Sequence, residues 1–240
     1  MGKISLKSMI RLFSGFFIFA ISSVLMINAH VGLMPWDVLH QGLSIKLGIT
    51  IGQASIMVGV VIVILDAVFG ENIGWGTLLN MTFIGIFIDL VIFSGVIPHA
   101  SNTYIGVFMV VIGIILAAIA SFLYLGVCLG SGPRDGLMIA LQKKTNKSVR
   151  LVRTILEILA LVVGWLLGGS VGIGTLVSAL GLGYVLQIVF RIFKFDTKLL
   201  KHRFIIDDIR EWKEKKSNEH KCKSSIVIKY SRINYAKIYL

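Results

Sequence analysis

The sequence predicts an all-α fold: a polytopic transmembrane helical bundle of two three-span repeats in inverted orientation, each with a short re-entrant or interfacial helix. Three observations predict it. Hydrophobic residues make up 56% of the 240 and charged residues only 15%, outside the balance usual for soluble domains. Apolar segments long enough to cross a bilayer recur through the first 195 residues. Two Gly-rich turns also repeat, Gly32-Leu33-Met34-Pro35-Trp36-Asp37-Val38-Leu39 and Gly130-Ser131-Gly132-Pro133-Arg134-Asp135-Gly136-Leu137. Pro133 follows Pro35, and Asp135 follows Asp37, by the same 98 residues.

The elements follow in order. Lys3, Lys7 and Arg11 precede an apolar run from Leu12 to Ile27. It resembles a signal peptide, but no convincing small-x-small cleavage site follows and further spans do, so it reads as an uncleaved first span. Residues 33–47 carry Asp37, His40 and Lys46 and are too short and polar for an ordinary span. Pro35 suits the first turn of a short helix, where its missing N–H costs nothing. Thr50 and Gln53 form a capping box for a second span over 51–69. Gly70 to Gly76 turns the chain into a third span from Thr77 to Val96. The pattern then restarts with a fourth span over 104–127, a short helix over 133–146, a fifth span over 149–167 capped by Ser148, and a sixth over 175–194.

The repeat needs no gap. Gly15 matches Gly113, Gly32 matches Gly130, and Gly70, Gly74, Gly76 and Thr77 match Gly168, Gly172, Gly174 and Thr175. These are residues with backbone tasks at turns, so shared apolar composition does not explain the agreement. Residues 1–195 therefore read as the membrane domain, with repeat 1 over about 8–96 and repeat 2 over about 104–194. Residues 196–240 read as a basic cytoplasmic tail, in which Ile205 to Lys216 suits a surface helix.

Charge sets the expected orientation. Lys3, Lys7 and Arg11 precede the first span, whereas 97–108, before the fourth, holds no Lys or Arg. The first short helix carries Lys46 alone, but its twin and the next span carry Lys143, Lys144, Lys147, Arg150 and Arg153. The opposite bias of the halves implies opposite orientations and an odd number of crossings in each. Three plus three spans with both termini cytoplasmic follow. The rival, four plus four parallel spans, leaves 97–103 inside with no positive charge. Residues 191–240 hold 14 Lys/Arg against 6 Asp/Glu, which fits contact with anionic lipid or a cytoplasmic protein. No stacking platform or zinc spacing supports nucleic-acid binding. Cys128 and Cys222 form no pairing pattern, and no metal site or cofactor is expected.

The Gly-x-x-Pro-x-Asp-x-Leu segment, with Gly74-Trp75-Gly76-Thr77 and Gly172-Ile173-Gly174-Thr175, resembles the YczE/YyaS/YitT-type bacterial membrane proteins, on the YczE side of that group. The resemblance covers roughly residues 8–195. It implies a multi-pass fold in a bacterial plasma membrane and supplies no substrate or catalytic residue.

Candidate site residues follow from depth and symmetry. Asp37 and Asp135 sit in the first turns of the short helices. One reading is helix-end chemistry, since free N–H groups favour a carboxylate there. The other is that two inverted half-helices aim their N-termini at a central site. Asp89 lies deep in the third span, with Gln187 at the matching position. It is either a solute or proton site or a helix fastener. Arg134 is a weaker candidate for anion binding, and Arg153 and Glu157, four apart, suit a structural pair. Gly32, Pro35, Gly76, Gly130, Gly132, Pro133 and Gly174 read as structural turns. His30, His40 and His99 lack metal-ligand spacing. No Walker motif, nucleophile elbow or His-Glu-x-x-His is present, so an enzyme is not expected. The expected function is a small-solute transporter or exporter with a site between the repeats. The rival is a non-transporting accessory protein that docks a partner through its basic tail.

Overall fold

The computed structural model describes residues 5–195, 202–214 and 216. The remainder of the tail, with Cys222 and much of its basic charge, lies outside the described residues, as does Lys3. The described chain is helical: α1 (Leu6–Asn28), α2 (Pro35–Leu47), α3 (Ile51–Val68), α4 (Trp75–Ser94), α5 (Thr103–Leu125), α6 (Pro133–Thr145), α7 (Val149–Leu166), α8 (Ile173–Ile192), and α9 over 205–214. From α2 to α4, each helix has a partner 98 residues on with matching bounds.

Local signals fix the ends. Pro35 and Pro133 stand in the first turns of α2 and α6. These helices stop at Gly48 and Asn146, both left-handed, the conformation that frees a helix end to turn. The expected capping box forms: the Gln53 N–H donates to Thr50 Oγ1 and the Thr50 N–H to Gln53 Oε1, each at 3.1 Å. Ser148 Oγ accepts from the Leu151 N–H at 3.3 Å, capping α7 as Thr50 caps α3.

Among the described residues, five helices are long and apolar enough to cross a membrane: α1, α3, α4, α5 and α8. The sequence reading gave six spans. The expected fifth span, α7, is the one not among the five; it matches α3 in length but carries Arg150, Arg153 and Glu157 where α3 has Gly52, Ser55 and Gly59. Outward faces bear Phe93, Phe108, Leu176 and Tyr184, all exposed, which is the surface a bilayer covers.

α1 and α5 form the central pair and run antiparallel. Gly15 lies against the Tyr124 and Ala120 backbone, Ser22 Oγ donates to Gly113 O at 2.7 Å, and Gly106 meets Ala29 O. Small residues let these backbones approach, the usual means of joining helices where lipid removes the hydrophobic drive. α4 packs on α1 as α8 packs on α5; α7 packs on α2 as α3 packs on α6. Two pairs lack an equivalent. α3 packs along α4 and α4 touches α6, but neither α7 with α8 nor α8 with α2 makes a comparable contact.

Candidate functional site

The repeated turns engage each other crosswise. The Gly76 N–H donates to Leu129 O at 2.7 Å, and 98 residues on the Gly174 N–H donates to Val31 O at 2.7 Å. Gly32 and Gly130 adopt φ of +114° and +119°, open to glycine and strained for other residues. Each is pressed on the opposite half's Gly-x-Gly-Thr segment. A Cβ on Gly32 would lie 2.6 Å from Gly172 N, and one on Gly130 2.8 Å from Gly74 Cα. Gly76 and Gly174 are similarly tight, each near a carbonyl of the partner turn. Gly132 differs. Its φ is −61°, a Cβ there would meet Asn80 at an ordinary 3.6 Å, and it borders a cavity. Of the expected structural turns, this one has no steric need for glycine.

The crossed turns bring the N-termini of α2 and α6 to one cavity of about 620 Å³, lined by residues of α1 to α8. Arg134 lies over the Trp36 ring at 4.9 Å. These two occupy equivalent positions, so the halves meet here across their own pseudo-symmetry. Arg134 Nη2 is 3.3 Å from His40 Nε2. Guanidinium only donates, so that nitrogen accepts and the ring proton sits on Nδ1. Nδ1 stands 3.3 Å from Asp37 Oδ1. His40 and Asp37 are 1% and 3% exposed, and among the described residues neither Asp37 Oδ2 nor His40 Nδ1 makes a well-formed hydrogen bond. Trp36, His40, Asp37 and Arg134 thus form a chain linking the repeats.

The candidate residues separate. Arg134, Asp135 and Gln187 line the cavity; Asp37 stands behind His40. Asp89 is not in the lining. Its carboxylate accepts from Thr50 Oγ1 and, at 2.8 Å, from the Gly52 N–H, capping α3 from α4. Depth and symmetry alone paired Asp89 with Gln187, but only Gln187 faces the cavity. Arg153 and Glu157 pair at 2.9 Å on the cavity wall, beside Arg150. Asp66, near the end of α3, is buried against Gly136 in the first turn of α6.

Sequence reasoning missed Trp36 and the central place of His40. The signal available was the 98-residue match of Trp36 to Arg134, an aromatic facing a cation. His30 and His99 stack, with nitrogens 3.0 Å apart, far from this site in the loops after α1 and α4. No group of three or more His, Cys, Asp or Glu able to hold a metal occurs among the described residues.

The tail returns to the bundle beside the α5–α6 turn. The Arg203 N–H donates to Cys128 O at 2.8 Å, the Ile205 N–H to Ile73 O at 3.0 Å, and Trp75 Nε1 to Asp208 at 3.0 Å. Burial holds the His202 imidazole below its ordinary range, and the Asp135 carboxylate opposes that shift. Burial pushes the Cys128 thiol up, with Arg11 pulling it back.

Residues 6–191 match the model of a family of unknown function, DUF6198. The chain is 37% identical to the uncharacterised membrane protein YczE of Bacillus subtilis (strain 168) over 180 residues, 73% of this chain and 81% of the relative. It is 33% identical to an uncharacterised protein of Haemophilus influenzae over 175 residues, 73% of this chain and 79% of that one. It is 28% identical to YyaS of B. subtilis over 176 residues, 72% and 88% of the two chains. No solved structure matches. The recurrent apolar helices, the crossed Gly-rich turns and these matches agree: the chain is a multi-pass membrane protein and belongs to the DUF6198 family, with YczE and YyaS among its relatives.

Proposed function

We propose that the protein is a small-solute transporter or exporter of the bacterial plasma membrane, and not an enzyme. Its site is the cavity between two inverted repeats. One observation carries the reading: the N-termini of both short helices open on a single cavity whose wall comes from both repeats. Half-helix ends meeting at a repeat interface are how many transporters present backbone donors to a solute. In this reading α7 also crosses, as the fifth of six spans. Its 18 residues extend about 27 Å, near the hydrocarbon thickness. Its charges lie in its first half, along the cavity. Both termini are then cytoplasmic and the short helices enter from opposite faces, following the Lys/Arg bias.

The accessory reading has one observation of its own. α9 exposes Ile206, Ile209 and Trp212, an apolar surface suited to lipid headgroups or a partner. Ile206→Ser, Ile209→Ser and Trp212→Ser made together spare the contacts of Arg203, Ile205 and Asp208, so a transporter retains its flux and a protein that docks through α9 loses its activity.

Gly183 supplies the test of transport. It lines the cavity, and a Cβ there would meet no atom within 4 Å. Gly183→Trp therefore fills the cavity while leaving the fold in place. Cells producing either form are compared by mass spectrometry of cell contents and medium. At least one small solute shifts its distribution with the wild-type protein and not with Gly183→Trp. Equal profiles at equal protein abundance would sink the transport reading.

A further inference from the structure

We propose that the cavity selects a small organic anion, a carboxylate on an apolar body, with Arg134 as its anchor. The proposal rests on the cavity being the solute site and adds the class of solute.

The argument is one of charge balance. Arg134, Arg150, Arg153, Asp135 and Glu157 all line the cavity. Glu157 is held by Arg153 at 2.9 Å. Asp135 sits in the first turn of α6, where free N–H groups and the helix dipole favour a carboxylate. Arg134 and Arg150 form no direct ion pair among the described residues; Asp37, behind His40, Asp135 and Glu157 act on Arg134 only from beyond contact. Arg134 carries five N–H donors, and its close partners are both neutral: His40 Nε2 at 3.3 Å and the Trp36 face at 4.9 Å. A buried guanidinium whose carboxylates all stand beyond contact keeps N–H donors unused, and a ligand carboxylate would take two of them in parallel hydrogen bonds. The N-termini of α2 and α6 add partial positive charge at the same place.

The rest of the wall sets the body of the solute. Phe19, Met81, Leu156 and Leu186 line it with apolar surface, and Asn80 and Gln187 offer a few polar contacts. A cavity of about 620 Å³ holds a molecule of small-metabolite size. Its charged wall comes from the start of α6, with Arg134 and Asp135, and from the first half of α7, with Arg150, Arg153 and Glu157.

The test is equilibrium binding to the purified full-length protein in lipid nanodiscs. Probes are benzoate and hexanoate, their neutral amides benzamide and hexanamide, and hexylammonium. At least one carboxylate binds, its amide binds at least about tenfold more weakly, and hexylammonium does not compete. Arg134→Gln weakens carboxylate binding by about tenfold or more and leaves amide binding unchanged. Arg134→Lys, which keeps the charge and loses the fork, gives an intermediate loss and serves if Arg134→Gln fails to fold. Absence of binding by both carboxylates, preference for an amide or for hexylammonium, or full carboxylate affinity in the Arg134 variants would overturn the proposal. A protein that binds carboxylates but shifts no solute in cells keeps this site and loses the transport reading. One that moves a solute and prefers hexylammonium does the reverse.

Discussion

The seam between α3 and α4 and the seam between α7 and α8 are copies of one design, and they have taken opposite forms. In the first, Gly52 faces Gly85 backbone to backbone and Gly59 lies against Met81. Asp89 bridges from α4 to the Gly52 N–H at 2.8 Å. In the second, the equivalent positions hold Arg150, Gly183, Glu157, Ala179 and Gln187. Two glycines that let backbones meet have become an arginine and a glutamate, and the helices stand apart with the cavity between them. The fastening carboxylate has become an amide on the cavity wall. The two seams share matching helix bounds, and where one has small residues in contact the other has charged residues lining an opening.

The sharpest way to break this comparison is to add bulk at the matched glycines. A Cβ on Gly85 would meet Ile56 Cγ1 at 2.6 Å and the Gly52 carbonyl, whereas Gly183 has open space. Gly85→Leu should remove most folded protein from the membrane, a cost of about 1–3 kcal/mol or more from overpacking. Gly183→Leu should leave abundance unchanged. Size-exclusion profiles of the two variants decide it, and equal losses would mean that the second seam closes as the first does.

A smaller contrast separates Asp89 from Gln187. Asp89→Leu removes the acceptor of the Thr50 hydroxyl and the Gly52 N–H, and should destabilise by about 1–3 kcal/mol. Asp89→Asn keeps an acceptor oxygen and should cost less. Gln187→Leu should leave the melting temperature within a degree or two of wild type, because its side chain faces the cavity. Normal abundance of Asp89→Asn with loss of pH-dependent transport would return Asp89 to the chemistry.

The smallest effect belongs to the Arg153–Glu157 pair. Its members are 44% and 27% exposed, so screening limits its worth to about 0–1 kcal/mol. Arg153→Ala should leave the melting temperature nearly unchanged. A large fall would show that Arg153 has a role beyond this pair, since both members lie on α7 and the pair itself joins no two helices.

Local chemistry in the sequence determined the helices and their ends. Proline opens α2 and α6, Gly48 and Asn146 close them, and Thr50 and Ser148 cap the spans that follow. Each signal acts over a few residues, so it is legible without the fold. The 98-residue match also made the duplication visible, because turn glycines cannot be exchanged freely. The tertiary structure alone decided what these pieces touch. It crossed Val31 with Gly174 and Leu129 with Gly76, laid Arg134 on Trp36, buried His40 between Asp37 and Arg134, and gave Asp89 to Thr50. Symmetry marked equivalent positions but not whether they meet. Asp89 and Gln187 are equivalent and serve different seams, while Trp36 and Arg134 are equivalent and stack. The physical reason is that contact across a pseudo-twofold axis requires a residue to lie on the axis, and the axis exists only once α1 and α5 have packed.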